Sequence, residues 1–535
     1  MKNKNKLPHV AYFCMEYGLH EDFHLYSGGL GILAGDHLKS AKDLDVPLIG
    51  IGLLWKNGYT CQRIDENGKP YDCYHTYEYD FLEDTGVTVE VKIRDNIVKA
   101  KVWKTDKYDH ATLYLLDTNL PNNPGQGITN QLYGGFSETR IAQEMILGIG
   151  GIRALRKLGI DVDVYHFNEG HAALAGLELI KEKMELGHSF EKSWEKTQEE
   201  IVFTTHTPVK AGNETHSLNT LMYMGANNGL SLDQMVQIGG APFGMTVAGL
   251  KLSRNANAVA ELHGKTAKKM WEHIEDGAPI IPITNGVHHG TWVDPRITEN
   301  KDKKEKLWEN HIELKKELLE LVKDRTGVEL DSETLLIGFA RRAAPYKRSD
   351  FIFTDPDIIG PLLEEGKLQI VFSGQAHPLD DMGKQIVANL VKMMDKYPDS
   401  VVFLENYKID IGKKITRGSD VWLNNPRRPQ EASGTSGMKA AMNGVLNLST
   451  LDGWWPEACD HGVNGWQFGD GYEGKDQDEH DLKALYKVLL EEVIPTYYDE
   501  RDKWIEMMQA SIDTTLEKFA ASRMVEEYYD KIYKK

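Results

Sequence analysis

The chain has no run of about 18 apolar residues, so no membrane-spanning helix is expected. It has only four cysteines, Cys14, Cys61, Cys73 and Cys459, with no CxxC pair and no disulfide-framework spacing. That excludes a disulfide-stapled secreted domain and fits a reducing cytoplasm. Positive charge is in deficit, with 62 Lys and Arg against 81 Asp and Glu and a net charge of −19. Such a balance argues against nucleic acid as the main partner. It also makes any cluster of basic residues informative, because that cluster must hold something anionic against the overall field. The basic start, Met1 to Pro8, is followed by no apolar segment, so no signal peptide is expected.

What is present is a folded chain too long for one core. The 535 residues suggest two large domains, and 41% hydrophobic with 27% charged residues is a globular composition. In the first half, His9–Cys14 reads as a buried strand and Ser27-Gly-Gly-Leu-Gly31 as a glycine-rich turn. Ile32–Leu44 then reads as a helix and Val46–Leu54 as a second strand. Alternating positions over 75–118 predict a β-rich insertion. Tyr133–Leu158 and His171–Leu186 have helical spacing, with strands at Val162–Phe167, Ile201–Thr205 and Ile280–Thr284. Pro282 puts the last of these at an edge or strand end. The glycine-rich stretch 210–245 reads as a mobile substrate loop.

Residues 300–327 are charged and helical, and after them the β-α alternation restarts with strands at Thr334–Ala340, Gln369–Ser373 and Val401–Glu405. The expected fold class is therefore α/β. It consists of two Rossmann-like domains, 1–300 and 301–535, facing a deep cleft, with ligands at the C-terminal ends of the strands. The last helix, near 500–533, is expected to cross back onto the first domain.

The most informative stretch runs from Glu431 through Ala-Ser-Gly-Thr-Ser-Gly-Met to Lys439 and on to Gly444. A run of Ser, Gly and Thr feeding a helix start offers unpaired N–H groups and the positive end of a helix dipole to an anion. A lysine beside such a cradle suggests a phosphorylated aldehyde held as a Schiff base, that is, pyridoxal 5′-phosphate. The same residues also suit a plain Gly-Ser turn with a solvated lysine.

Several loops, taken together and in order, resemble the α-glucan (glycogen, starch, maltodextrin) phosphorylase family. They are Tyr26-Ser-Gly-Gly-Leu-Gly31, His166-Phe-Asn-Glu-Gly-His171, Thr284-Asn-Gly-Val-His-His-Gly-Thr-Trp292, Arg341-Arg-Ala-Ala-Pro-Tyr-Lys347-Arg348, Glu405-Asn-Tyr407 and Glu431–Lys439. The run Asn425 to Lys439 is closest to the short bacterial and archaeal branch. The resemblance implies the GT-B architecture, with a glucan-binding N-domain and a cofactor- and phosphate-binding C-domain. It also implies reversible phosphorolysis of a terminal α-1,4-glucosyl unit to α-glucose 1-phosphate with retention. The partners it implies are α-glucan and phosphate, with no nucleic acid and no membrane; a homodimer is left open.

By the same resemblance Lys439 is the Schiff-base lysine, and the cofactor's 5′-phosphate exchanges a proton with substrate phosphate. Two phosphates together repel, and Arg341, Arg342, Lys347 and Arg348 can offset that repulsion. Arg342 and Lys347 would bind substrate phosphate. Arg341 stands where the family often has lysine, which keeps the charge and changes its geometry. Gly28, Gly29, Arg341, Tyr407, Thr435, Ser436 and Gly437 would contact the cofactor, although Tyr407 also suits a core tyrosine. Leu30, Gly31, His171, Asn285, Glu431, Ser433 and Gly434 would hold the glucosyl unit, with the His171 backbone carbonyl also placed to stabilise an oxocarbenium. His166, Glu169, Arg140 and Glu144 suit fold-tying roles as well as ligand ones. Trp454-Trp455 could stack on sugar or pack as core. His206, His216, His288 and His289 form no clear ligand set, so no metal is expected.

Lacking long terminal extensions, the chain is expected to have no phosphorylation switch or nucleotide-effector site of the animal type. Two other readings remain open from the residues: a nucleotide-sugar glycosyltransferase of the glycogen or starch synthase kind, which would not need Lys439, and a non-catalytic glucan-binding protein. A retaining glycoside hydrolase is the weakest reading, because the sequence ties no pair of carboxylates together.

Overall fold

The computed structural model describes residues 7–209 and 212–534, so most of the basic N-terminal segment lies outside it. The chain is mixed α/β and divides into two compact units. The first comprises Met1–Tyr59, Tyr74–Thr284 and Ala521–Lys535; the second comprises Thr60–Cys73 and Asn285–Ala520. Two stretches thus depart from a single division near residue 300, a short hairpin and the C-terminal helix.

Among the described residues the first unit carries a nine-stranded sheet. Its order is Ile280–Pro282, Asn255–Ala258, Ile201–Thr204, Val164–Asn168, Val10–Phe13, Leu48–Leu53, Leu113–Asp117, Asn96–Thr105, Glu83–Ile93. The first seven strands are parallel, and the last two add antiparallel neighbours. The expected β-rich insertion is therefore a hairpin that widens the main sheet. Pro282 sits on the edge strand, where a missing N–H costs no ladder bond. Val10–Phe13 and Ile201–Thr204 are buried throughout, as strands covered on both faces must be.

The helix expected to start at Tyr133 starts at Ser137, because Gly134 and Gly135 (φ +82°) precede it and Tyr133 takes φ +57°. The glycine-rich turn is itself the first turn of a helix, Gly29–Asp43. Residues 212–244 hold a two-stranded ribbon, Thr215–His216 with Phe243–Gly244, and helices Leu218–Met224 and Leu232–Gly239. The expected glycine-rich loop is thus largely regular structure, and its Lys210 and Ala211 lie outside the described residues.

The C-terminal segment packs with the first unit. Its helix, Ala521–Tyr528, lies against Gly29–Asp43. The Tyr528 hydroxyl accepts from Asn257 Nδ2 at 2.8 Å and lies 3.3 Å from Thr204 Oγ1, and Arg254 donates to the carbonyls of Ile532 and Tyr533. His166 meets Thr204 Oγ1 and the Tyr533 hydroxyl, each at 2.7 Å. Thr204 spends its proton on Asn257 Oδ1, so His166 donates from Nε2 and accepts at Nδ1 from Tyr533.

The second unit has a six-stranded parallel sheet in the order Val401–Leu404, Gln369–Ser373, Leu336–Ala340, Val421–Asn424, Leu446–Thr450, Gly465–Phe468. The hairpin Cys61–Ile64/Pro70–Cys73 is tied to it by Gln62, which donates to and accepts from the Ala376 backbone, and by Asp72 with Lys384 at 2.6 Å. The charged stretch after residue 300 is one helix, Lys304–Thr326. Its Lys315 is fully buried and reaches Asp420 at 2.6 Å, while His311 meets the other Asp420 oxygen at 2.8 Å. No helix among the described residues is long and apolar enough to cross a membrane.

Candidate functional site

In the second unit, three strands deliver their C-terminal ends to one place. Leu336–Ala340 leads into Arg341, Val421–Asn424 ends at Asn424, and Leu446–Thr450 leads into Asp452. Parallel strands put functional loops at that end. Arg341 and Lys347 are both buried, and both donate to one carboxylate. Arg341 Nη2 is 2.5 Å from Glu431 Oε2, and Lys347 Nζ is 2.8 and 3.1 Å from the two Glu431 oxygens. Arg341 also donates through Nη1 to Asn424 Oδ1. Burial alone would push the Glu431 carboxyl up. Arg341 and Lys347 outweigh that and hold it at about 2.

A second carboxylate supports the first from behind. Asp452 accepts the backbone N–H of Glu431 at 2.9 Å and of Gly453 at 2.8 Å. Burial, with the neighbouring Glu431 charge, pushes its pKa to about 8 against the opposing effect of the two backbone donors and Arg428. At neutral pH the pair is therefore split, with Glu431 charged and Asp452 largely protonated.

Gly434, at φ +83°, makes the turn between Glu431 and the helix Thr435–Met442. A Cβ there would come within 3.3 Å of Glu431 Cγ and 3.6 Å of Arg341 Nη2. Thr435 and Ser436 form the half-buried first turn of that helix; no side chain caps it. Ser433 Oγ is buried with no protein partner. Lys439 projects from the same helix, is buried, and holds its Nζ 3.4 Å from the centre of the Trp292 ring. Trp292 is fixed in turn, because Asn443, at the end of the helix, donates to its carbonyl at 3.1 Å.

The other predicted residues of this unit are placed as follows. Arg342 is exposed. Arg348 points away from Glu431 and is held by Asp481 at 2.7 Å, Asp478 at 2.9 Å and two backbone carbonyls. It therefore does not join the cationic cluster expected from the sequence. Tyr407 is half-buried, with burial raising its hydroxyl to about 12 against the opposing effect of Arg341. Asn285 is buried. Gly437 packs under Trp454, where a Cβ would lie 2.9 Å from Trp454 Nε1 and 2.6 Å from Asn447 Oδ1. Trp454 and Trp455 are fully buried, their rings 5.1 Å apart, and Trp454 packs on Phe519 at 4.8 Å; they are core.

In the first unit the glycine loop is held by a residue the motifs did not mark. Glu16 accepts the backbone N–H of Ser27 at 2.6 Å and of Gly28 at 3.2 Å, together with the Tyr133 hydroxyl at 2.6 Å. A Cβ at Gly28 or Gly29 would meet no atom within 4 Å, whereas one at Gly31 would lie 2.7 Å from Glu16 Oε2. Leu30 is half-buried.

His171 is nearly buried, its Nε2 4.0 Å from Glu214 Oε2. Burial, aided by Arg140, drops its pKa to about 3, so it is neutral. Arg140 grips Glu214 through Nε and Nη2 at 2.9–3.1 Å, and Glu144 pairs with His216 at 2.8 Å. Glu214, which otherwise burial would raise, is held at about 2 by Arg140, while burial and Glu214 raise Glu144 to about 7. Glu169, at φ +77°, accepts from the backbone of Gly170 and His206 and from Thr207, and so ties two loops together.

The second unit thus holds two buried cations on one buried carboxylate, with a buried lysine on the helix that follows. A family model described as carbohydrate phosphorylase matches residues 295–461. A maltodextrin phosphorylase of Thermococcus litoralis is 41% identical over 98% of this chain and 70% of its own length. The chain belongs to the carbohydrate phosphorylase family. A glycogen phosphorylase of Aquifex aeolicus is 35% identical over 98% of this chain and 86% of its own. An uncharacterized protein of Methanocaldococcus jannaschii is 37% identical, over 98% of this chain and 99% of its own. The segment matched by the family model contains Arg341, Lys347, Glu431, Asp452 and Lys439.

Proposed function

We propose that the protein is an α-1,4-glucan phosphorylase, which splits the terminal glucosyl unit of a glycogen-, starch- or maltodextrin-like chain with inorganic phosphate. It acts reversibly and with retention, giving α-glucose 1-phosphate. The observation that carries this reading is the convergence of Arg341 and Lys347 on one carboxylate, one turn from the helix that presents Lys439. Two buried cations held in place by a single anionic side chain are preorganised for an anionic ligand. Two of the relatives are named maltodextrin and glycogen phosphorylase, which supports the same reaction.

The chain's donor set fits pyridoxal 5′-phosphate. Lys439 offers the amine that an aldehyde needs, with Trp292 against it. Thr435 and Ser436, at a helix start with no side-chain cap, offer N–H groups to a phosphate. Tyr407 would contact the ring. When bound, the cofactor supplies a phosphate whose second pKa, about 6, suits proton exchange at neutral pH.

The chain's own residues would then act on substrate. Lys347 and Arg342 bind the incoming phosphate, and Arg341 offsets the charge of two phosphates together. As phosphate takes over Lys347, the Glu431 carboxylate would be released to accept sugar hydroxyls, and Ser433, Gly434 and Asn285 would hold the same sugar. His171, neutral, can accept from or donate to a sugar hydroxyl, and a buried polar group of this kind disfavours sugars that lack one. The two Rossmann-like domains of GT-B architecture, a cytoplasmic location and the absence of a nucleic-acid partner are part of this proposal.

The test is direct. The purified protein, supplied with pyridoxal phosphate, maltodextrin and inorganic phosphate, should release glucose 1-phosphate in amounts that depend on phosphate. Glucan extension from a nucleotide sugar, with no phosphorolysis, would overturn the reading in favour of a synthase-type transferase.

A further inference from the structure

Glu16 follows the central strand Val10–Phe13 and is 3% exposed. A buried carboxylate must find donors, and this one finds them on two separate segments. From the glycine loop come the N–H groups of Ser27 (2.6 Å) and Gly28 (3.2 Å) and the Ser27 hydroxyl (3.1 Å). From the loop before the helix Ser137–Met145 comes the Tyr133 hydroxyl (2.6 Å). Gly31 backs onto the same carboxylate, and a methyl there would collide with it.

Tyr133 continues the chain of contacts. It adopts φ +57°, a conformation that costs a bulky residue energy and persists only where the surroundings enforce it. Its ring lies under the Arg140 guanidinium at 4.4 Å and 5.7 Å from the His171 ring. Arg140 holds Glu214, which faces His171. An unbroken path therefore joins the glycine loop to His171 within one unit. Glu16 is its only link to the loop among these contacts.

We propose that Glu16 is a positioning residue that, through the Tyr133 hydroxyl, holds the glycine loop and His171 in a fixed mutual arrangement for glucan binding. A carboxylate can do this because it has acceptor sites on both oxygens and no proton to turn toward the loop N–H groups. Its bond to Tyr133 is charge-assisted, so losing it is worth about tenfold in an equilibrium constant.

The inference rests on the phosphorylase reading for what is bound, so its test includes a readout that needs no ligand. Amide hydrogen exchange of the peptide covering Ser27–Gly31 is compared in the wild type, Y133F, E16Q and the double variant. Y133F should raise exchange at Ser27 and Gly28, over a hundred positions away in sequence, and E16Q should do the same. Calorimetry with maltodextrin should show about tenfold weaker binding in each single variant. The double variant should bind no worse than the weaker-binding single, and every variant should lose some thermal stability because a buried partner is left unpaired. Unchanged loop exchange in Y133F, or losses in the two singles that multiply in the double, would overturn the role of Glu16. A wild type that shows the exchange coupling but binds no glucan would instead overturn the phosphorylase reading.

Discussion

Lys347 donates to both carboxylate oxygens of Glu431, at 2.8 and 3.1 Å, and neither residue is exposed to solvent. Breaking a buried pair leaves a stranded charge, which typically costs about 3–5 kcal/mol. E431Q should therefore lower the thermal midpoint in phosphate-free buffer. Inorganic phosphate should restore more of that stability in E431Q than in the wild type, because it no longer competes with a carboxylate for Lys347 and Arg341. Thermal unfolding across a phosphate titration checks this, and turnover should stay low throughout because the sugar loses an acceptor.

Asp452 gives stability a pH dependence of definite sign. Its carboxyl titrates near 3.8 when exposed and near 8 in the fold. The folded state therefore holds an extra proton across that window, and stability present below about pH 4 is lost as pH rises toward 8. D452N should flatten this slope while costing about 1 kcal/mol for one of the two backbone N–H bonds. Denaturant midpoints at pH 5, 6, 7 and 8 (about one-unit steps through the window) in both proteins provide the measurement.

The glycines of one loop should separate into two behaviours. G28A and G29A place a methyl in open space, so the cofactor-free protein should unfold at the wild-type temperature and bind pyridoxal phosphate more weakly. G31A drives a methyl toward Glu16 and Tyr26, at 2.7 and 2.6 Å, and should lower the midpoint with or without cofactor. Cofactor titration by fluorescence alongside thermal scans distinguishes the two.

Tyr533 donates to His166, and burial holds that imidazole neutral. Y533F leaves a buried acceptor without its donor and should cost about 1–3 kcal/mol of stability, with kcat unchanged. Chemical unfolding and initial rates at saturating substrate test both halves of that statement.

Much of this was legible because it rests on local pattern. The buried parallel strands announce themselves as short apolar runs, and Gln369–Ser373 begins and ends where the pattern puts it. Lys439 and Glu431 are marked by their loop. What the pattern hides is pairing at a distance. Arg348 sits in a basic run and looks like its neighbours, but its partners Asp478 and Asp481 lie some 130 positions on. Glu16 is a single glutamate after a strand, and nothing in its neighbourhood signals that Tyr133 will fold onto it. The pattern at Tyr133–Leu158 likewise extends one turn too far, because helical spacing continues across Gly134 and Gly135 where the backbone does not.

The most direct test of the central claim is borohydride reduction of the purified protein after loading with pyridoxal phosphate, followed by peptide mass mapping. A pyridoxyl group on Lys439, in the peptide that also carries Thr435 and Ser436, is the result predicted. A Lys439 left unmodified under conditions where another lysine is labelled, or none is, would contradict the account.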